Sequence, residues 1–507
     1  MKRNKLKHAA YILLFLFACS PLHVLAQVPV RTGPAPEAEI KKARAGVDAY
    51  PDSLGAHKTY IYALGLNNPQ LEPQYKVWME KYPANAIFPL AIGTVFYNAE
   101  MPQATPYLLK VAAMEPKNAK IWFMLSQDAW RRGETHLVKV YMKKAAMADT
   151  SNADYAAGYL ASFKDIDPGY AQKVFDFVKR FPNSERGAQA LFWLGEDAAS
   201  LNDKIIYFEK LRNLYPPKNF NWSAAGMAGL ADAYIQTEPE KAMELVDEMG
   251  EGKNWQIRKQ VAGSVLRIDQ LEKDKNYTDA LLDLNRIKLP AYNHLSDYIA
   301  LKKTDLMAKA GDIKAAYDSV AVKFAKQPTD QLDTALLFYG TKIGKDAATV
   351  AKDIQNIRKS TAAVAYPFEL GLYTSDGKLS LNDLKGKVVL LTFWFPGCGP
   401  CREEFPHFQA VINKFKDENV AYIGINVFPL QDGYVIPLLK NNKYSFIPLR
   451  GTSAFAAEYY GVQGEPENFL IDKDGKIIFK DFRIDNSNER TLELMITALL
   501  QKGGQSN

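Results

Sequence analysis

The sequence is poor in the residues that hold chains together covalently or through metals. Its 507 residues include three cysteines, Cys19, Cys398 and Cys401. A chain of this length with so few cysteines is not built on a disulfide framework. The six histidines, His8, His23, His57, His136, His294 and His407, are scattered, so no set with metal-ligand spacing forms and no metal site is expected. Blocks of Lys or Arg are missing too. Residues 1–26 carry four basic side chains, Lys2, Arg3, Lys5 and Lys7, and no acidic one, so without them the formal charge falls from +6 to +2. A chain so near neutrality gives no case for nucleic acid as partner. No Gly-rich phosphate loop and no Ser/His/Asp grouping stands out, and no bound cofactor is expected. The longest apolar run near the start, residues 9–18, is too short for a confident membrane span.

What is present begins with an export signal. After the four basic residues and the apolar run come Pro21 and a small-residue site, Val24-Leu25-Ala26, which reads as signal-peptide cleavage. Leu16-Phe17-Ala18-Cys19 offers a competing lipobox-like reading, with Cys19 acylated and the mature protein anchored to a membrane. On either reading Cys19 is not a redox thiol, and the expected location is the periplasm or cell envelope. Residues 27–36 form a Pro-containing linker.

From residue 37 to 358 the pattern is helical. Tyr50-Pro51, Tyr82-Pro83, Glu115-Pro116, Phe181-Pro182 and Tyr215-Pro216 follow each other at steps of 32, 33, 66 and 34 residues, with Thr150 standing where a proline would halve the long step. That is the tetratricopeptide period, and it predicts an α-solenoid whose helix pairs cover one another's apolar faces. Further helices are expected over 224–236, 239–249, 257–271, 278–287, 295–310 and 313–324, and the 38 residues from Pro290 to Pro328 suggest one more degenerate repeat. The tryptophans of this region, Trp78, Trp122, Trp130, Trp193, Trp222 and Trp255, read mostly as core between helices. Any function here is binding.

Past Ser360 the pattern changes to strands. Residues 388–406 read VVLLTFWFPGCGPCREEFP: an unbroken apolar run suited to a strand buried on both faces, then Cys-Gly-Pro-Cys at a turn opening a helix. Backbone N–H groups and the positive end of the helix macrodipole favour thiolate there, so Cys398 is the expected nucleophile and Cys401, one turn later, the resolving thiol. Pro400 suits a helix's first turn. A CxxC pair can also be half of a zinc site or an inert disulfide. Zinc lacks its other two ligands, and a helix-opening CxxC after a buried strand is the redox arrangement. Residues 420–426 predict a second strand parallel to the first, with a helix between. Hairpins are expected at Ser375-Asp376-Gly377 and Asp474-Gly475, a helix over 434–443 and a last helix over 491–500.

FWFPGCGPCREEFP, preceded by LSLNDLKGKVVLL and followed downstream by YGVQGEPENFLIDKDGKI, resembles the TlpA/ResA/CcmG family of exported, thioredoxin-fold thiol-disulfide oxidoreductases. The resemblance covers roughly residues 366–505 and implies an α/β thioredoxin-like domain over residues 366–507, behind the all-α repeat domain. It implies attack by Cys398, resolution by Cys401, a cis Pro466 facing the disulfide, and proton transfer by Glu404. The hairpin near Asp376 and the insertion before Ala454 are also family traits. The sequence departs from thioredoxin itself at Thr392, where a buried Asp is usual, and at Gly397, where a Trp is usual. Gly399, Pro400, Glu465 and Pro466 are then the expected substrate-binding residues. On spacing alone Glu404 is either a cap-like surface residue or a carboxylate on the helix flank nearest the thiols. Glu465 either lends acidity to the substrate groove or does not.

The reading is an exported protein thiol-disulfide oxidoreductase, a reductant of client protein disulfides. It would be fed by an upstream thiol donor protein, and its helical domain would dock clients while sharing only a short linker with the redox domain. A peroxiredoxin would need Thr or Ser three residues ahead of the attacking Cys, where Phe395 stands. The alternative is a non-enzymatic repeat scaffold with a redox-sensing domain, which has no reason to keep both cysteines.

Overall fold

The computed structural model describes residues 34–164 and 166–501. The expected export signal, Cys19 and most of the expected linker lie outside the described residues. Among the described residues, nineteen helices run from Glu37–Ala49 to Ala347–Thr361 before the first strand, and they fit a helical-repeat region.

The proline spacing has a visible cause. Tyr50, Tyr82, Glu115, Phe181 and Tyr215 are each the C-cap of a helix, with ψ between 61° and 86° and so outside the helical region, and a proline follows each one. A residue before proline is biased out of the helical region, so the X-Pro step stops the helix. Asp149, before Thr150, is a C-cap of the same kind without a proline. Polar N-caps restart the chain: Ser53, Ser184, Ser200 and Asp312 each accept a backbone N–H of the following turn. Close helix packing demands small residues in places. A Cβ on Gly195 or Gly229 would fall 2.6 or 2.8 Å from the Phe208 ring, which is fully buried between these helices. Four apolar clusters run along the stack among the described residues, around Phe88 and Leu125, around Phe208 and Leu230, around Ile268 and Leu284, and around Tyr317 and Leu336. Trp78 and Trp122 are buried in the first, whereas Trp130, Trp193, Trp222 and Trp255 are half-buried. Two helices not anticipated from the sequence close the stack, Asp330–Lys342 and Ala347–Thr361, capped by Thr329 and Asp346.

The C-terminal domain is a sheet covered by helices. Its strands are β1 (Ala363–Val364), β2 (Glu369–Gly371), β3 (Lys378–Ser380), β4 (Val388–Trp394), β5 (Val420–Asn426), β6 (Ile447–Arg450), β7 (Glu467–Ile471) and β8 (Lys476–Lys480). The main sheet has the order β1-β8-β7-β4-β5-β6, while β2 and β3 form a separate hairpin. β4 is central and buried throughout. It runs parallel to β5, with Val388 opposite Val420, and antiparallel to β7, with Thr392 opposite Asn468. The helix Gly399–Lys414 and the final helix Glu489–Leu500 cover one face through Phe405, Phe408, Leu492 and Ile496. Phe368 and Ala456, the latter on the helix Ser453–Tyr460, cover the other, in one cluster with Leu449 of β6.

The helical stack meets this domain at two separated places, which corrects the expectation that only a linker joins them. At its end, the Arg358 guanidinium lies 5.0 Å from the Phe479 ring centroid on β8, and Arg490 of the final helix donates to Asp330 at 3.1 Å. Far earlier in the chain, two loop tips near Glu100 and Gly133 reach the insertion helix Asp432–Asn442. Tyr434 donates to the buried Asp128, Asn441 donates to the Arg132 carbonyl at 2.8 Å, and Pro102 packs on Gly433, where a Cβ would be 2.8 Å away. The last carbonyls of a helix lack partners within it. Here Trp130 and Arg132 offer theirs to the neighbouring domain. Polar loop tips ordinarily face water, which is why nothing in their composition announced the contact.

Candidate active site

β4 ends at Trp394, and residues 395–398 turn the chain into the helix Gly399–Lys414. Cys398 is the N-cap of that helix, and its sulfur accepts the Cys401 backbone N–H at 3.2 Å. It therefore sits where orphan N–H groups and the macrodipole lower a thiol pKa. Cys398 and Cys401 are joined in a disulfide, with Cα atoms 5.3 Å apart. Cys401 is 0% exposed and Cys398 3%, so in the oxidised state both sulfurs are close to inaccessible. Gly399 and Pro400 occupy the first two helical positions and are half-buried. No atom lies within 4 Å of a Cβ on Gly399, so sterics do not demand glycine there.

Glu404 is not a surface cap. It is 5% exposed, on the face of the helix turned to the sheet. One oxygen accepts Asn468 Nδ2 at 2.9 Å and the other accepts the Ile484 N–H at 3.0 Å, with Arg483 3.7 Å away. Burial pushes its carboxyl up to about 7, while these donors and Arg483 pull the other way. Asn468 also donates to the Phe482 carbonyl at 3.0 Å, so it ties Glu404 to β7.

The Glu465-Pro466 bond is cis, and Pro466 is buried. β7 begins one residue later, with Glu467 opposite Phe393 near the end of β4, so the register sets Pro466 beside the strand end from which the cysteine loop leaves. Glu465 and Glu467 are half-buried, and burial raises both carboxyls above their usual range.

Two residues at the redox loop were not singled out from the sequence. Gln431, 2% exposed, accepts the Gly397 N–H at 2.6 Å and donates to Glu100 of the helical domain at 2.6 Å. Arg402, directly after Cys401, stacks its guanidinium 4.2 Å from the Trp130 ring centroid and donates to the Trp130 carbonyl. Burial pulls its pKa down to about 10. Gly397 carried the one legible signal: a Cβ there would lie 2.7 Å from the Gln431 amide, so this glycine leaves room for a side chain arriving from 34 residues away.

A helix-capping CxxC disulfide at the end of the central strand of a mixed sheet, a buried carboxylate on the same helix and a cis-proline ahead of the neighbouring strand define a thioredoxin-fold redox domain. Residues 362–480 match the AhpC/TSA family, and the C-terminal part of the chain is a thioredoxin-like domain. The chain is similar to the thiol-disulfide oxidoreductase ResA of Bacillus subtilis (strain 168), 32% identical over 105 residues, which are 21% of this chain and 58% of the relative. It is 36% identical over 110 residues to ResA of Bacillus thuringiensis (strain Al Hakam), with 20% of this chain and 58% of the relative covered. The thioredoxin-like protein YneN of Bacillus subtilis (strain 168) is 27% identical over 128 residues, 25% of this chain and 73% of the relative. The chain thus spans 58% of the length of both ResA relatives. No helix among the described residues is long and apolar enough to cross a membrane.

Proposed function

We propose that the chain is an exported protein thiol-disulfide oxidoreductase that reduces client disulfides in the periplasm or cell envelope. One observation carries the reading: the Cys398–Cys401 disulfide opens a helix that carries the buried Glu404 one turn after Cys401. In the reduced protein the Cys398 thiolate attacks one client sulfur, the client S–S bond breaks, and its other sulfur leaves as a thiolate that takes up a proton. Cys401 then gives its proton to Glu404 and attacks Cys398, releasing the second client thiolate and re-forming the internal disulfide. Two electrons pass to the client, and an upstream dithiol protein returns them. A carboxyl near neutrality suits that proton transfer, because proton exchange is most effective when pKa and working pH are close. Gly399 and Pro400 between the cysteines and the ResA likeness support a potential nearer thioredoxin's roughly −270 mV than DsbA's roughly −120 mV. Glu465 and Pro466 would border the client backbone, and the helical domain would position the client. Membrane attachment through Cys19 remains part of the proposal for the lipoprotein route. No step calls for a metal or bound cofactor.

The test is reduction of insulin by the purified protein with dithiothreitol as donor, together with equilibration of its cysteine pair in glutathione buffers. Turnover lost in Cys398→Ala supports the reading. A protein that neither turns over insulin nor equilibrates with glutathione defeats it.

A further inference from the structure

We propose that the helical domain is a positioning element of the redox site: Glu100, acting through Gln431, fixes the Pro396-Gly397 peptide directly ahead of Cys398 and so favours the reduced pair. The inference rests on the redox reading above.

The geometry is a two-bond relay. The side-chain oxygen of Gln431 accepts the Gly397 N–H at 2.6 Å, and its nitrogen donates to Glu100 Oε2 at 2.6 Å. The other oxygen of Glu100 is held by Arg131 at 2.8 Å, so the carboxylate is fixed from the helical side as well. Gln431 is 2% exposed, and a Cβ at 397 would lie 2.7 Å from its amide, so any larger residue there would have to displace it. Gly397 immediately precedes the nucleophile. Its amide is therefore anchored to a loop tip roughly three hundred residues earlier in the chain, and one end of that anchor is charge-assisted.

The anchor acts unequally on the two redox states. In the disulfide, the covalent bond to Cys401 holds Cys398 at the helix N-cap whatever the preceding loop does. In the dithiol, only the backbone holds the Cys398 thiolate against the helix N–H groups, so a loosened Gly397 costs the reduced state and spares the oxidised one. Removing the relay should therefore make the pair harder to reduce, by about fivefold in the equilibrium constant, the worth of one hydrogen bond.

The experiment uses the full-length protein in glutathione redox buffers at pH 7, with the disulfide fraction read by thiol trapping and mass spectrometry. Glu100→Ala and Gln431→Ala should each lower the equilibrium constant for reduction about fivefold. The double variant should go no further than either single one, because both break the same relay. Glu100→Gln keeps an acceptor for Gln431 and should return to within about twofold of wild type. Glu100 lies at a partly exposed loop tip, and circular dichroism of each variant checks the fold. A Glu100→Ala protein indistinguishable from wild type overturns the inference, whatever Gln431→Ala does, because the helical domain then has no hold on the site. Equal shifts in Glu100→Ala and Glu100→Gln overturn it too. A wild-type pair that does not equilibrate with glutathione instead removes the redox reading, and the inference falls with it.

Discussion

Glu404 makes the stability of the C-terminal domain depend on pH in a direction opposite to that of a surface carboxylate. Its carboxyl is lifted to about 7 from an ordinary 4.5, mainly by burial. Between those values the folded domain keeps a proton that the unfolded chain has released. The corresponding stability is present in full below the unfolded value and is lost as pH rises through the folded one. At 1.36 kcal/mol per pKa unit the loss is about 3 kcal/mol, a large share of a domain's roughly 5–15 kcal/mol. Glu404→Gln cannot ionise, so the slope should vanish. The substitution has its own cost. Both carboxylate oxygens accept N–H donors, from Asn468 and Ile484, and an amide presents a donor to one of them. Asn468 can turn its unpartnered Oδ1 to that donor only by giving up its bond to the Phe482 carbonyl. Glu404→Gln should thus be less stable than wild type by about 1–3 kcal/mol at pH 5 and converge on it by about pH 8. Hydrogen exchange of the β4 amides in the intact chain, corrected for intrinsic rates, reads the opening free energy of this domain. A wild-type value unchanged between pH 5 and 8, or the same decline in Glu404→Gln, would refute the assignment of a buried, neutral carboxyl.

Cys401→Ser should accumulate a mixed disulfide with insulin and Cys398→Ala should form none; iodoacetamide labelling Cys401 faster than Cys398 at pH 6 would reverse the roles. Arg258→Ala strands Asp232, which is fully buried and also holds the His294 N–H, so thermal unfolding of the helical region should report a loss of about 3–5 kcal/mol. Replacing both partners, Asp232→Asn with Arg258→Met, should cost less than the single change; an equal cost would contradict the stranded-charge argument. Tyr434→Phe removes the hydroxyl that reaches Asp128 across the domain contact, while Arg132 keeps that carboxylate paired. Docking should weaken by about 1–3 kcal/mol, seen as faster protease cleavage at the loop tips near Gly133, and unchanged cleavage would count against this contact.

What could be read from the sequence was local. Proline fixes the conformation of the residue before it, so Tyr50, Tyr82, Glu115, Phe181 and Tyr215 could be placed at helix ends, and the cysteines marked a strand-to-helix turn by adjacency alone. What could not be read depended on partners distant in the chain. Glu404 had two readings because its burial is decided by Asn468 and by the segment around Phe482 and Ile484, about 64 to 80 residues further on. Gln431 sat in a short stretch with no periodicity, and its partner Glu100 is 331 residues away. β1 and β6, two and four residues long, carry too few positions for an alternating pattern.

β1 is short but placed where it matters. It is the outermost strand, pairing Ala363 with Ile477 and Val364 with Lys476 on β8, and the Ala365 N–H continues the pairing to the Gly475 carbonyl. A chain cut at residue 366, where the sequence places the start of the redox domain, would keep Cys398, Cys401, Glu404 and Pro466 and still lose this cover. The bare rim of β8 would then offer unpaired N–H and C=O groups to any second copy, the arrangement from which edge-to-edge aggregation starts. Liberating the redox domain in soluble form therefore means cutting ahead of Ala363, so that each molecule brings its own blunted edge.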